Sequence, residues 1–196
     1  MLSKESLADI SRAVDVIRRG GVILYPTDTI WGIGCDASNP EAVERVYRIK
    51  QRADSKALIC LVASDAMLPF YSDAIPDVAY DLIEFSERPL TLIVDRARNL
   101  APTLMADDGS VGLRVTKEEF SQTLCQRCKR AIVSTSANIS GHPSPTGFQD
   151  IEPAILEAVD YICTSRRNEK SDGKPSSIIK ISATTDDQQL CPLMNP

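Results

Sequence analysis

A chain of 196 residues with 43% apolar and 25% charged residues suits one domain that buries its own core without staples. Its formal net charge of −5 excludes a surface built throughout to grip nucleic acid, which needs clustered Lys and Arg, but leaves room for a local basic pocket that takes a small polyanion. No apolar run approaches the roughly 20 residues that span a bilayer, and the opening MLSKESLADI lacks the apolar core of a signal peptide.

Taken in chain order, short β-branched runs alternate with amphipathic stretches, the pattern of an α/β fold. Leu7, Ile10, Ala13, Val14 and Ile17 recur at helical spacing and predict a helix over 4–19 that Gly20 and Gly21 end. VILY (22–25) reads as a buried strand, closed by Pro26, and TDTIWGIG as the loop after it. Asn39 as N-cap, Pro40 in the first turn and Glu41 at the positive end of the dipole predict a second helix over 39–50. Strands are expected at 57–63, 90–95, 111–115, 131–135, 161–164 and 177–181, and helices near 64–71, 77–86, 118–128 and 152–158. The stretches 97–110 and 165–174 are polar or punctuated by Gly and Pro and read as loops, the second either a solvated connection or a lid. No repeat or low-complexity tract divides the chain, so residues 1–196 are expected to form a single domain.

Four segments set polar residues at strand ends, where α/β folds place ligands. YPTDTIWGIG (25–34) offers hydroxyls beside Trp31, either a polar pocket against an apolar wall or a turn over a core tryptophan. KQRADSK (50–56) brings Lys50, Arg52 and Lys56 together at a helix-to-strand junction. They could clamp a triphosphate if the helix ends there, and otherwise form a solvated basic run. Arg114, inside VGLRV, needs an anion if it is buried, and sits at an open edge if it is not. STSANISGHPSPTG (134–147) crowds Ser134, Thr135, Ser136, Asn138 and Ser140 at a strand exit, a phosphate cradle or a self-bonded turn.

The six cysteines sit largely in apolar runs, as small hydrophobes do. Cys125 and Cys128 form an isolated CxxC in a predicted helix with no second pair, which argues for a helix face rather than a metal site. The single histidine, His142, would have to carry any Ser-His-Asp or Cys-His arrangement alone, and neither a P-loop nor GxGxxG occurs.

In their order and spacing, GGVILYPTDTIWGIG, the KQR…K cluster, RPLTLIV, VGLRV, STSANISG…SPTG and GKPSSIIKI together resemble the YrdC-like family of threonylcarbamoyl-AMP synthases across residues 20–181. The resemblance implies a single YrdC-like α/β domain, a twisted mixed sheet flanked by helices around a concave pocket. It implies an enzyme that makes threonylcarbamoyl-AMP and pyrophosphate from L-threonine, bicarbonate and ATP, with magnesium accompanying ATP. The product would pass to downstream proteins that modify tRNA in the cytoplasm, with weak RNA binding by the chain itself. By the same resemblance Lys50, Arg52, Ser136 and Asn138 shape the catalytic centre. Lys50, Arg52, Lys56, Thr91, Asn138 and Thr146 would meet ATP, and Thr29, Arg114, Ser136 and Ser176 would hold threonine. No protein metal ligand is implied.

The chain departs from the family pattern with ERP (87–89) before the TLI strand, Ser177 where Thr is usual, and no arginine near Leu190 or Cys191, where one closes over ATP. Arg166 or Arg167 is the candidate substitute. The alternative reading is a YrdC-like RNA-binding module, or a paralogue without this activity.

Overall fold

Helix α1 (Lys4–Arg18) starts where the Ser3 side chain accepts the Ser6 amide, and it buries Ile10, Ala13, Val14 and Ile17 along one face. Each such fully buried aliphatic side chain stabilises the fold by about 1.5–3 kcal/mol. Gly20, in the left-handed region at φ +79°, turns the chain out of the helix, a conformation that costs glycine least. Asp9 lies on the same buried face, which the apolar spacing alone does not foretell.

The computed structural model of the chain describes residues 1–51, 58–171 and 173–182. After α1 come β1 (Ile23–Tyr25), β2 (Gly32–Gly34), α2 (Pro40–Ile49), β3 (Ile59–Val62), α3 (Leu68–Tyr71) and α4 (Val78–Phe85). They are followed by β4 (Leu90–Val94), β5 (Val111–Val115), α5 (Glu119–Cys128), β6 (Ile132–Ser136), α6 (Pro153–Ala158), β7 (Tyr161–Ile162) and β8 (Ser177–Ile181). The expected mixed sheet is present. Its order is β7-β1-β2-β6-β3-β5-β4-β8. The β1/β7, β3/β5 and β4/β8 pairs are parallel, and the pairs between them antiparallel.

Helix α2 is capped as expected, with Asn39 Oδ1 accepting the Ala42 amide. It stops at Ile49. Lys50 is the C-cap and Gln51 turns left-handed at φ 49°, so the helix ends where a clamp would require. Helix α5 packs along α1 and over β3. On it Cys125 and Cys128 are both buried, and Cys125 Sγ reaches Leu61 O at 3.7 Å. Burial pushes the Cys128 thiol up to about 12, so it stays protonated and apolar.

Two expectations are corrected. The loop TDTIWGIG contains a strand, because β2 pairs with β1 and β6 and lies in the middle of the sheet. The stretch 97–110, read as a loop, holds a turn of 3-10 helix at Pro102–Leu104 with the buried side chain of Leu104, and Leu100 and Ala101 are buried beside it.

Candidate functional site

The register sets the site. Gly32 faces Ser136, and Ile59 faces both Ser134 and Gly112, so small and hydroxyl residues of β2, β6 and β5 lie about Ile59 of β3 on four neighbouring strands. Two residues along β5 from Gly112, on the same face by strand alternation, stands Arg114. Above this row the 26–31 loop and the segment leading into β8 close a cavity of about 270 Å³, whose wall includes Thr29, Trp31, Arg114, Ser134, Ser136 and Ser176. A second cavity of about 320 Å³ adjoins it across Thr27–Trp31 and is lined on its far side by Thr146, Arg166, Glu169 and Lys170.

Arg114 is 3% exposed. Its Nη2 lies 3.1 Å from Asp28 Oδ1, yet neither Asp28 Oδ1 nor Arg114 Nε makes an aligned hydrogen bond. The two observations are compatible: the atoms are within ion-pair distance, but the angle is wrong for a bond. Burial pushes the Asp28 carboxyl above its usual value, with Arg114 pulling it back part of the way. A buried guanidinium donor without an acceptor costs about 1–3 kcal/mol.

The SxN turn is organised from below by Lys50, which is 2% exposed. Its Nζ donates to Ser136 O, to Asn138 O at 2.8 Å and to Asn138 Oδ1 at 3.1 Å, and the Ser140 amide returns a bond to Lys50 O. Ser136 Oγ donates to Asn138 Oδ1, and Asn138 Nδ2 donates to His142 O. Lys50 thus ties down the turn that presents Ser136 to the cavity.

The other expected residues divide. Thr29, Arg114, Ser136 and Ser176 come together in the first cavity. Thr91 is 1% exposed, and its hydroxyl is paired with Ser176 Oγ at 2.9 Å, so it supports Ser176 from behind rather than facing the space. Thr146 lies in the second cavity, its hydroxyl bonded to Asp150. Arg52, Lys56, Leu190 and Cys191 lie outside the described residues.

Arg166 and Arg167 take different parts. Arg166 lines the second cavity, donates to Thr27 O at 3.2 Å and pairs with Glu118 and Glu169. Arg167 turns away: it donates to Cys163 O and Ile162 O and lies 4.5 Å over the Phe148 ring, which in turn packs on Trp31 at 5.0 Å. Residues 165–167 are thus tied down at several points, including by Asp9, whose carboxylate accepts the Thr164 and Ser165 amides. Asp28, Ser144, Thr27, Glu169 and Lys170 are among the cavity residues that the sequence reading did not single out. An acid among hydroxyls directly after a buried strand was the available signal for Asp28.

A family model for Sua5, YciO and YrdC proteins, described as telomere recombination, matches residues 15–190. A relative named threonylcarbamoyl-AMP synthase, from Pseudoalteromonas translucida, is 34% identical over 155 residues, 78% of this chain and 83% of its own. Among solved structures, E. coli YciO superposes with a TM-score of 0.81 at 25% identity, covering 98% of this chain and 90% of YciO. P. abyssi Sua5 in complex with L-threonine superposes with a TM-score of 0.80 at 29% identity. That match covers 88% of this chain but 50% of Sua5, so the chain spans about half of that protein.

Proposed function

The chain belongs to the Sua5/YciO/YrdC family, and we propose from that membership and from its cavity that it joins L-threonine, bicarbonate and ATP into threonylcarbamoyl-AMP and pyrophosphate. The product serves the threonylcarbamoyl modification of adenosine in tRNA. The observation that carries the reading is the buried, unpartnered Nε of Arg114 in a wall that also holds Thr29, Ser134, Ser136 and Ser176.

An amino-acid carboxylate supplies the acceptor that Arg114 lacks, in a charge-assisted bond of about 1.5–3 kcal/mol. The hydroxyls surround the rest of a small polar substrate, and Trp31 gives it an apolar wall. A solved relative named Sua5 carries L-threonine, and threonine is our assignment here.

The chemistry asks for alignment rather than a protein nucleophile. The threonine amine attacks bicarbonate and loses water to give a carbamate. A carbamate oxygen then forms a bond to the α-phosphorus of ATP, and the bond to the bridging oxygen breaks as pyrophosphate leaves. Holding the two reactants in line and excluding water supply the acceleration. In our reading the nucleotide lies across the second cavity. Thr146 and the cations Arg166 and Lys170 stand there, and Arg52 and Lys56 are assigned to its phosphates.

Among the described residues no group of three His, Cys, Asp or Glu side chains is placed to hold a metal ion. We assign magnesium to the nucleotide's own phosphates and water, the arrangement this small hard cation favours. No described helix is long and apolar enough to cross a membrane. The cytoplasm, where ATP and tRNA are at hand, is the proposed location. Proteins that pass the threonylcarbamoyl group to tRNA are the proposed partners, and direct RNA contact is expected to be weak at a net charge of −5.

The test is pyrophosphate release from ATP by the pure protein. Release that needs both threonine and bicarbonate supports this function. Release independent of threonine, or none, contradicts it and favours the RNA-binding or paralogue reading.

A further inference from the structure

The loop between β1 and β2 brings the Asp28 carboxylate against the Arg114 guanidinium from a distant part of the chain. Oδ1 lies 3.1 Å from Nη2, and the two side chains are 11% and 3% exposed. Among the described residues no other carboxylate is paired with Arg114. A guanidinium in this setting cannot shed its proton, so its charge must be compensated inside the protein. Asp28 compensates it without an aligned hydrogen bond, as the unbonded Oδ1 and Nε both attest. Attraction between charges survives a poor angle, whereas a hydrogen bond does not. Charge thus holds the guanidinium in the cavity wall without tying it by an aligned bond.

We propose that Asp28 is the positioning residue of the substrate-carboxylate site: it fixes by charge, in the empty protein, the Arg114 guanidinium that lines the cavity. This deepens the function proposed above and rests on it for the identity of the ligand, but the positioning itself is a property of the ligand-free chain. Asp28 touches no reacting atom. Its neighbours explain why it stays in place. Glu118 is near enough to oppose its charge, and Arg166, which pairs with Glu118, offsets that opposition. The 26–31 loop itself is held by Thr27, whose hydroxyl donates to Ile30 O and accepts the Thr29 amide.

The test uses the whole chain with ¹⁵N-labelled arginine, the Arg114 Nε–H resonance being assigned by its loss in Arg114→Lys. In the ligand-free wild type this resonance should stand apart from those of exposed arginines and exchange slowly with water. Asp28→Asn should move it into the exposed group and weaken threonine binding, read by calorimetry, at least tenfold. Asp28→Glu, which keeps the charge, should restore part of both. A wild-type resonance indistinguishable from exposed arginines would overturn the proposal, even if Asp28→Asn fails to fold. So would an Asp28→Asn protein in which resonance and threonine affinity are both unchanged. If the resonance responds as expected but the wild type binds no threonine, the positioning stands and the assigned ligand is wrong.

Discussion

Lys50 Nζ donates to both oxygens of Asn138, the main-chain carbonyl at 2.8 Å and Oδ1 at 3.1 Å, and so ties the end of α2 to the turn after β6. Lys50→Met keeps the stem and removes the charge. Carbonyls of Ser136 and Asn138 are then left short of a donor in a buried place, at a cost of about 2–4 kcal/mol. The melting temperature should fall by about 4–12 °C, together with a large loss of activity. A variant that is inactive but melts like the wild type would show that Lys50 acts on phosphate alone.

Arg166 and Arg167 are adjacent in sequence and opposite in role. Arg166→Ala should raise the KM for ATP by about 3- to 10-fold, since a partly exposed cation contributes on the order of 1 kcal/mol, and should weaken threonine binding by less. Arg167→Ala should lower stability by about 1–2 kcal/mol, through loss of two bonds to carbonyls and the contact with Phe148, without changing the KM for ATP. Steady-state kinetics beside thermal melts separate the two. Equal kinetic effects would contradict the division.

Asp9 makes stability depend on pH. Burial alone would raise its carboxyl, but hydrogen bonds from Ser165, Tyr161 and Thr164 outweigh burial and leave it below the ordinary value of 3.8. A group whose pKa is lower folded than unfolded stabilises the fold above its unfolded value and loses that contribution as pH falls through the folded one. Asp9→Asn should therefore be less stable than the wild type at pH 7, and the gap should narrow once the pH drops below about 4. A gap that stays constant from pH 7 to pH 3, in urea denaturation, would show that packing rather than charge holds the 164–165 amides.

Gly34 explains why β2 was hard to read. A Cβ there would stand 2.6 Å from both Val133 O and a ring carbon of Tyr25, so the strand has to be glycine where it passes the backbone of β6. Glycine is a poor strand former, and a three-residue strand with glycine at both ends looks like a loop. Gly34→Ala should destabilise by about 1–3 kcal/mol or more, since backbone cannot retreat as a flexible side chain can. An unchanged denaturation midpoint would mean that β2 yields freely.

The elements that were legible had local causes. The helix over 40–49 announced itself through Asn39 and Pro40, and the apolar runs of β1, β4 and β5 through their composition. The hydroxyl clusters at strand ends pointed to the site because polar groups crowd there without a core to enter. What escaped depends on partners far apart in the chain. The Thr91 hydroxyl is paired with Ser176, 85 positions further along the chain. Lys50 meets the SxN turn, 86 positions further along the chain, through bonds that neither segment foretells. The Asp28–Arg114 pair is of the same kind, since nothing in either segment names the other.

The account stands or falls on whether the Arg114 cavity builds a carbamoylated amino acid onto a nucleotide. The most direct measurement incubates the protein with ATP, threonine and ¹³C-bicarbonate and follows the adenylate by mass spectrometry. Wild type should yield threonylcarbamoyl-AMP carrying one ¹³C. Arg114→Ala should lose about 10- to 150-fold in kcat/KM for threonine, the equivalent of one charge-assisted bond of about 1.5–3 kcal/mol. An adenylate without label, or full threonine turnover in Arg114→Ala, would contradict it.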